Sequence, residues 1–221
     1  VFTANPEDYT NRGNIITPLK DRIDSQIITH YPKNLEDGIE ITDTYSWTKR
    51  TDGKVTIPYY FKEIIEMTAM QARVSEFVDQ KSGVSARLTI SSMENLISNA
   101  ERRAIVNNED DIYLRVCDIN AILPGMTGKM ELVFEGEQEG AIKVSKALLS
   151  KAVREIFRKY FPDPLQKRKK TDKPQEDVYA EMVEWFQNGG KINIKDDMSF
   201  KDYFKELKKV DGLEKFVKKY S

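Results

Sequence analysis

The sequence contains one cysteine, Cys117, and one histidine, His30. A single cysteine cannot form an internal disulfide, a cysteine-based metal site or a C-x-x-C redox centre. A single histidine excludes a zinc finger, and it leaves room for a Ser-His-Asp triad only if His30 itself serves in it. Because disulfides are lacking, we expect the protein to be cytoplasmic.

An excess of charge of one sign and long apolar runs are lacking as well. The chain has 35 Lys and Arg against 36 Asp and Glu, a net charge of −1, so it has no global attraction to nucleic acid or to a membrane surface. No apolar run approaches the roughly 20 residues of a membrane span. With 221 residues, 39% of them hydrophobic, the chain can bury the core of one large domain or two small ones.

The motifs that hold a nucleoside triphosphate are missing too. A P-loop reads G-x-x-x-x-G-K-[ST], and the stretch "EGEQEGAIKVS" has glycines and a lysine at the wrong spacing and without a preceding strand. The run "IYLRVCDI" ends in Asp118, but no Glu follows it as in an acidic magnesium-binding motif. By itself, therefore, this chain is not expected to bind ATP tightly or to hydrolyse it.

The first 58 residues predict an α/β segment and a connection. "VFTA" is typical of the end of a buried strand, which Asn5-Pro6 stops because proline cannot donate to a ladder. "SQIITHY" predicts a second strand, after a loop and a short helical turn. Residues 33–58 contain turn signals at Asp37-Gly38 and Asp52-Gly53, so we expect a connecting segment there.

From Tyr59 onward the apolar residues recur at helical spacing, which predicts a helical bundle. The first helix is expected to end at Ser82-Gly83, and the second to begin with a capping box of Ser91 and Glu94. "IYLRVCDINAILPG" predicts a shorter helix stopped at Pro124-Gly125, and "MELVFEGEQEG" one short strand. The expected apolar stripes comprise Phe61, Ile65, Thr68 and Ala72 in the first helix, Ile90, Met93, Ile97, Ala100 and Ala104 in the second, and Leu148, Leu149, Ala152, Val153, Ile156, Phe157, Tyr160 and Phe161 in the last.

Beyond the last long helix the composition changes again. "LQKRKKTDKPQ" predicts an exposed linker, and its basic run favours a solvated segment over a contact with nucleic acid or anionic lipid. Two or three short amphipathic helices follow, with aromatic residues that either dock a partner or pack back onto the bundle. The predicted division is 1–32 (end of a parallel core sheet), 33–58 (connection), 59–163 (helical bundle), 164–176 (linker) and 177–221 (helical tail).

Three polar residues suit phosphate chemistry, although each also has a plainer interpretation. Asn5 follows a strand, where an amide can lie beside a phosphate or an attacking water, or simply form an Asn-Pro turn. Arg22 lies between two acids before a strand, and it can stabilise a transferring phosphoryl group or form a surface salt bridge. Arg87 precedes a helix, where a guanidinium suits an anion or is solvated.

Order and spacing link these residues into one pattern. "TANPED", "PLKDRIDSQIITHYP" and "GVSARLTI" occur in this order, and the pattern resembles the AAA+ ATPases of the magnesium-chelatase I subunit and MoxR-like branch. The resemblance covers residues 1–32 well and 59–125 moderately. It implies that Asn5 is sensor 1, which orients the attacking water, and that Arg22 is the arginine finger of a neighbouring subunit. It implies further that residues 59–163 are the helical lid, that Arg87 is sensor 2, and that Arg12 is a second candidate for a contact across the interface.

The resemblance also implies a function for the intact protein. It would bind ATP and Mg²⁺ through a preceding part of roughly 150 or more residues with Walker A and Walker B motifs, in line with ordinary domain sizes. It would assemble into a hexameric ring and remodel or mature a client protein. Two alternatives stay open: a non-enzymatic helical interaction module, and an activator of transcription that remodels a sigma factor.

Overall fold

The computed structural model describes residues 21–25, 27–50, 54–80, 82–164 and 177–220. Asn5, Arg12 and the first predicted strand lie outside these ranges, as do the Asp52-Gly53 turn and most of the predicted linker. The helices are α1 (Leu35–Tyr45), α2 (Tyr59–Arg73), α3 (Arg87–Val106), a 3-10 helix (Val116–Ile122), α4 (Leu123–Thr127), α5 (Phe134–Glu139), α6 (Ala141–Tyr160), α7 (Ala180–Gln187), α8 (Phe200–Leu207) and α9 (Leu213–Tyr220); the strands are β1 (Val55–Thr56) and β2 (Ile112–Tyr113).

A helical bundle around α2 forms the core. Helix α2 packs against α1, α3 and α6, and its predicted inner face of Phe61, Ile65, Thr68 and Ala72 is buried as expected. The helix ends at Arg73, well before the expected Ser82-Gly83. The backbone between these positions forms hydrogen bonds outside the helix, since Asp79 donates its N–H to Glu131 O at 2.9 Å.

The segment expected to be a connection contains α1. Asn34 begins this helix, because its side chain accepts the N–H of Asp37 at 2.8 Å. The turn expected at Asp37-Gly38 is therefore wrong, since both residues lie within the helix. Gly38 faces the buried side chain of Glu66, where a Cβ would overlap its carboxyl group. Glycine serves here for close helix contact and not for a turn.

Helix α3 begins earlier than predicted, at Arg87. The expected capping box is wrong, because Ser91 lies inside the helix and Glu94 accepts the backbone N–H of Trp47 at 2.9 Å. The start follows from the preceding turn, in which Ser85 O accepts the N–H of Leu88 at 2.9 Å. The stripe is otherwise confirmed: Met93, Ile97, Ala100 and Ala104 are buried, and Ile90 is half-buried.

Residues 112–127 form three short elements in place of one helix. Strand β2 pairs in parallel with β1, with Val55 opposite Ile112. The 3-10 helix follows, and Asp118 accepts the N–H of Arg115 at 2.7 Å at its start. Pro124 lies in the first turn of α4, where the missing N–H costs nothing, so it does not end a helix as predicted.

The strand expected in "MELVFEGEQEG" is reduced to two isolated antiparallel bridges, Val78 to Leu132 and Val84 to Met130. Helix α5 occupies the rest of that stretch. The second predicted strand, "SQIITHY", is wrong over residues 27–31, which have irregular backbone. Ile27 and Ile28 are 89% and 80% exposed, and no described strand lies beside them to complete a ladder.

The long helix α6 is confirmed, and a buried carboxylate joins it to α2. Glu63 is buried, forms an ion pair with Lys159 and accepts the hydroxyl of Tyr160 at 2.5 Å. Burial, with the adjacent Glu63 carboxylate, raises the pKa of Tyr160 to about 12. Two donors thus satisfy a charge that would otherwise be costly in the core.

The tail helices α7–α9 form as predicted, and of the two alternatives the structure shows packing onto the bundle. Phe200 stacks on Tyr113 with ring centroids 4.0 Å apart. Arg115 lies over the ring of Tyr203 at 4.6 Å and donates to the carbonyl of Met198 at 2.7 Å. None of the described helices is both long and apolar enough to span a bilayer.

Candidate functional site

The head of α3 presents an arginine to solvent. Arg87 is the first residue of this 20-residue helix and is exposed. Its N–H donates to Ser85 Oγ at 3.2 Å, while its guanidinium has no hydrogen bond or ion pair to any described residue. Ala86, at the N-cap, supplies no side-chain acceptor, and the first turn holds no acid. No acidic side chain of the first turn therefore offsets the positive end of the helix dipole, which lies beside the Arg87 cation.

The turn that leads into α3 is firmly held. Ser85 N–H donates to Lys129 O at 2.9 Å, and Val84 pairs with Met130. Val84 N–H donates to the hydroxyl of Tyr31 at 3.0 Å. Gly83 has φ of +73°, a conformation in which glycine is favoured. These contacts determine where the backbone of Arg87 lies.

A polar layer lies behind the head of α3 and joins three helices. Thr42 of α1 donates to Thr89 of α3 at 2.7 Å, and both side chains are buried. Glu66 of α2 is also buried, and Arg73 lies 3.5 Å from its carboxylate. Burial raises the pKa of the Glu66 carboxyl, against the opposing effect of the Arg73 guanidinium and the Thr42 hydroxyl.

Arg73 connects this layer to the segment before α1. Its guanidinium lies over the ring of Tyr31, 4.4 Å from the centroid. Arg73 Nε and Nη1 and Glu66 Oε2 are buried, and the described residues offer them no hydrogen-bond partner. The layer therefore holds its charges mainly by mutual proximity and by the aromatic face.

Of the other predicted site residues, the structure describes only Arg22. Arg22 is exposed within residues 21–25, and no described residue forms an ion pair with it, so its surface salt bridge is not observed. No described contact joins Arg22 to Arg87. Asn5 and Arg12 lie outside the described residues.

Tyr31, Arg73 and Glu66 were not predicted as site residues. Glu66 lies among apolar residues of a helix that is buried on several sides, and Gly38 opposite it was interpreted as a turn. Glu66, the second of two acids in the otherwise mainly apolar run "EIIEMTAM", was the available signal. Nothing in the sequence linked Tyr31 to Arg73, which are 42 positions apart.

The donor set at the head of α3 fits one phosphate group, since it combines a free guanidinium with a helix N-terminus. Nothing comparable fits Mg²⁺, because no cluster of three or more His, Cys, Asp or Glu among the described residues could hold a metal ion. An open groove of about 580 Å³ in the tail, lined by Glu181, Glu184 and Asp211 beside Trp185, has the wrong charge for a polyphosphate.

Comparison with known proteins adds no assignment: no family model matches the chain, and no curated protein or solved structure is similar to it.

Proposed function

We propose that the chain is the C-terminal part of a ring-forming, cytoplasmic AAA+ ATPase of the magnesium-chelatase I and MoxR-like kind. The intact protein would couple ATP hydrolysis to the remodelling or maturation of a client protein. The observation that supports this most directly is the exposed Arg87 at the head of α3, whose guanidinium has no partner among the described residues and whose helix has no acid in its first turn. A sensor 2 arginine needs such a position to reach a phosphate.

Each proposed residue has one role. Asn5 orients the attacking water, and Arg87 contacts the terminal phosphate and links the lid to it. Arg22 extends from one subunit toward the phosphates of the next, with Arg12 as a second candidate for that contact. Bound ATP and Mg²⁺ supply the phosphoryl group and neutralise its charge. A contact across the interface requires head-to-tail assembly, which closes into a ring, here proposed as a hexamer.

The exposed position of Arg22 predicts a selective loss of turnover on substitution. In the full-length protein we expect Arg22→Ala to lower kcat by about 10³-fold, the lower end for a trans arginine, and to change ATP affinity by only a few fold. Steady-state hydrolysis and equilibrium binding of a fluorescent ATP analogue measure the two quantities. Arg154→Ala is the matched control, since Arg154 is an exposed α6 arginine without a described partner.

Two results would contradict the proposal. One is an Arg22→Ala protein that loses ATP binding but keeps its turnover per bound ATP. The other is a coding sequence upstream of Val1 without a P-loop and an apolar run ending in Asp-Glu. The second result favours the helical interaction module, which the mainly helical fold also accommodates.

A further inference from the structure

The segment that carries Arg22 has a single described anchor on the bundle. Residues 21–25 and 27–31 are exposed and form no helix or strand. Within them, only Tyr31 makes a hydrogen bond or ring contact with the helical bundle. Tyr31 follows Arg22 by nine residues, and its bond partner Val84 precedes Arg87 by three. Among the described residues, the Tyr31 side chain therefore connects the segment that carries Arg22 to the turn that precedes Arg87.

Tyr31 is held on two sides. Its hydroxyl accepts the N–H of Val84 at 3.0 Å, and its ring lies under the Arg73 guanidinium at 4.4 Å. Arg73 is in turn fixed by buried Glu66 at 3.5 Å. A Cβ at Gly83 would lie 2.5 Å from the Tyr31 hydroxyl, so this residue must be small for the ring to dock. We name this set of contacts the Tyr31 clasp.

We propose that Tyr31 is a positioning residue that couples the head of α3 to the segment carrying Arg22. A displacement of the turn before Arg87 moves Val84, and the clasp transmits that displacement through Tyr31 to the segment that carries Arg22. The phosphate-sensing arginine of one site would thereby influence the arginine that a subunit presents to its neighbour. This role rests on the function proposed above, whereas the clasp itself does not.

The Tyr31 hydroxyl gives the clasp its specificity, because it accepts the Val84 N–H. A phenylalanine would keep the ring under Arg73 but would leave the Val84 N–H without its acceptor. A lysine at position 73 would keep the charge beside Glu66 but lose the planar face that stacks on the ring. The two substitutions therefore break the two sides of the clasp separately.

The first experiment tests the clasp in the 221-residue chain, without nucleotide. We expect Tyr31→Phe to accelerate hydrogen exchange of the Val84 amide by about fivefold, the effect of losing one ordinary hydrogen bond. Circular dichroism should stay unchanged. Tyr45→Phe is the control, because Tyr45 is 70% exposed on α1 and has no described hydrogen bond. Unchanged Val84 exchange in Tyr31→Phe overturns the clasp.

The second experiment tests coupling in the full-length ring. In Tyr31→Phe and Arg73→Lys we expect kcat to fall about tenfold, KM for ATP to stay within about twofold and the Hill coefficient for ATP to drop toward one. A purely structural role would change protein stability without changing the Hill coefficient. Tyr45→Phe should behave as wild type.

The outcomes separate the two proposals. If Val84 exchange rises but the Hill coefficient is unchanged in a ring that Arg22→Ala inactivates, the coupling role is wrong and the ATPase assignment survives. If the full-length protein shows no ATP hydrolysis at all, the ATPase assignment fails and the coupling role fails with it. The exchange result then still decides whether the clasp exists.

Discussion

Two carboxylates of α2 are buried three residues apart and are satisfied in different ways. Glu63 receives two donors from α6, Lys159 and Tyr160. Glu66 has the Arg73 guanidinium at 3.5 Å, and its Oε2 has no hydrogen-bond partner among the described residues. A buried acid with few donors is destabilised in its charged form, and burial raises the pKa of Glu66 accordingly.

Glu66 therefore predicts a pH-dependent stability. Its folded-state pKa is raised above the usual value, so folding favours the protonated form. This contribution is fully present below the unfolded-state pKa of about 4.3 and is lost as the pH rises through the raised folded-state value. Glu66→Gln has no titrating carboxyl at this position, so it should not show this loss of stability. We expect its free energy of unfolding, relative to that of wild type, to increase as the pH rises from 4 to 8.

Urea unfolding at several pH values measures this difference. Glu155→Gln provides the control, because Glu155 is an exposed α6 residue with no described ion pair. If the free energies of unfolding of wild type and Glu66→Gln changed in parallel with pH, the raised folded-state pKa of Glu66 would be contradicted.

At the scale of elements, the packing of α1 on α2 depends on the missing side chain of Gly38. A Cβ at this position would overlap the carboxyl group of Glu66. Glu66 cannot turn away easily, since it is buried and pairs with Arg73. The two helices are therefore held at a separation that only glycine permits.

Gly38→Ala should destabilise the protein by about 1–3 kcal/mol, the usual effect of overpacking. The sign of this change in stability is informative, because alanine in a helix interior is otherwise favoured over glycine by about 1 kcal/mol. Gly128→Ala is the control: Gly128 has φ of −93°, and nothing lies within 4 Å of a Cβ there. Thermal unfolding of both variants tests the expectation, and stabilisation by Gly38→Ala would contradict it.

The long amphipathic helices could be predicted, because their apolar period is visible within each segment. Helix α1 could not be, since its glycine is explained only by Glu66 on another helix. Strands β1 and β2 have two residues each and pair across 57 positions, which leaves no local signal. At the candidate site, Arg87 and the presence of a helix after it were predictable, although the helix begins earlier than predicted. The surrounding polar layer was not, because Tyr31, Arg73 and Glu66 meet only after folding.

At the scale of the whole molecule, the tail completes the surface of the bundle. Phe200 covers Tyr113 of β2, and its N–H donates to Glu109 at 2.6 Å. Arg115 is buried between the bundle and Tyr203. Without the tail, a buried cation and an aromatic face would meet solvent, so the tail contributes to stability.

Phe200→Ala is expected to lower the free energy of unfolding by about 1–3 kcal/mol, through the lost stack and apolar burial. Phe134→Ala should have little effect, because Phe134 is 68% exposed and makes no described ring contact. Chemical denaturation of both variants provides the comparison. Equal stability in the two variants would mean that the tail packs without strengthening the fold.

The ion pair between α2 and α6 has a consequence for the order in which the chain is made. Glu63 precedes Lys159 by 96 residues and Tyr160 by 97. At synthesis rates of about 5–20 residues per second, roughly 5–20 s separate the emergence of the acid from that of its partners. During this interval the Glu63 carboxylate lacks the two donors that satisfy it in the folded protein, so its desolvation cost opposes burial of the inner face of α2. We therefore expect the bundle to close around α2 late in synthesis, once Lys159 and Tyr160 can reach Glu63.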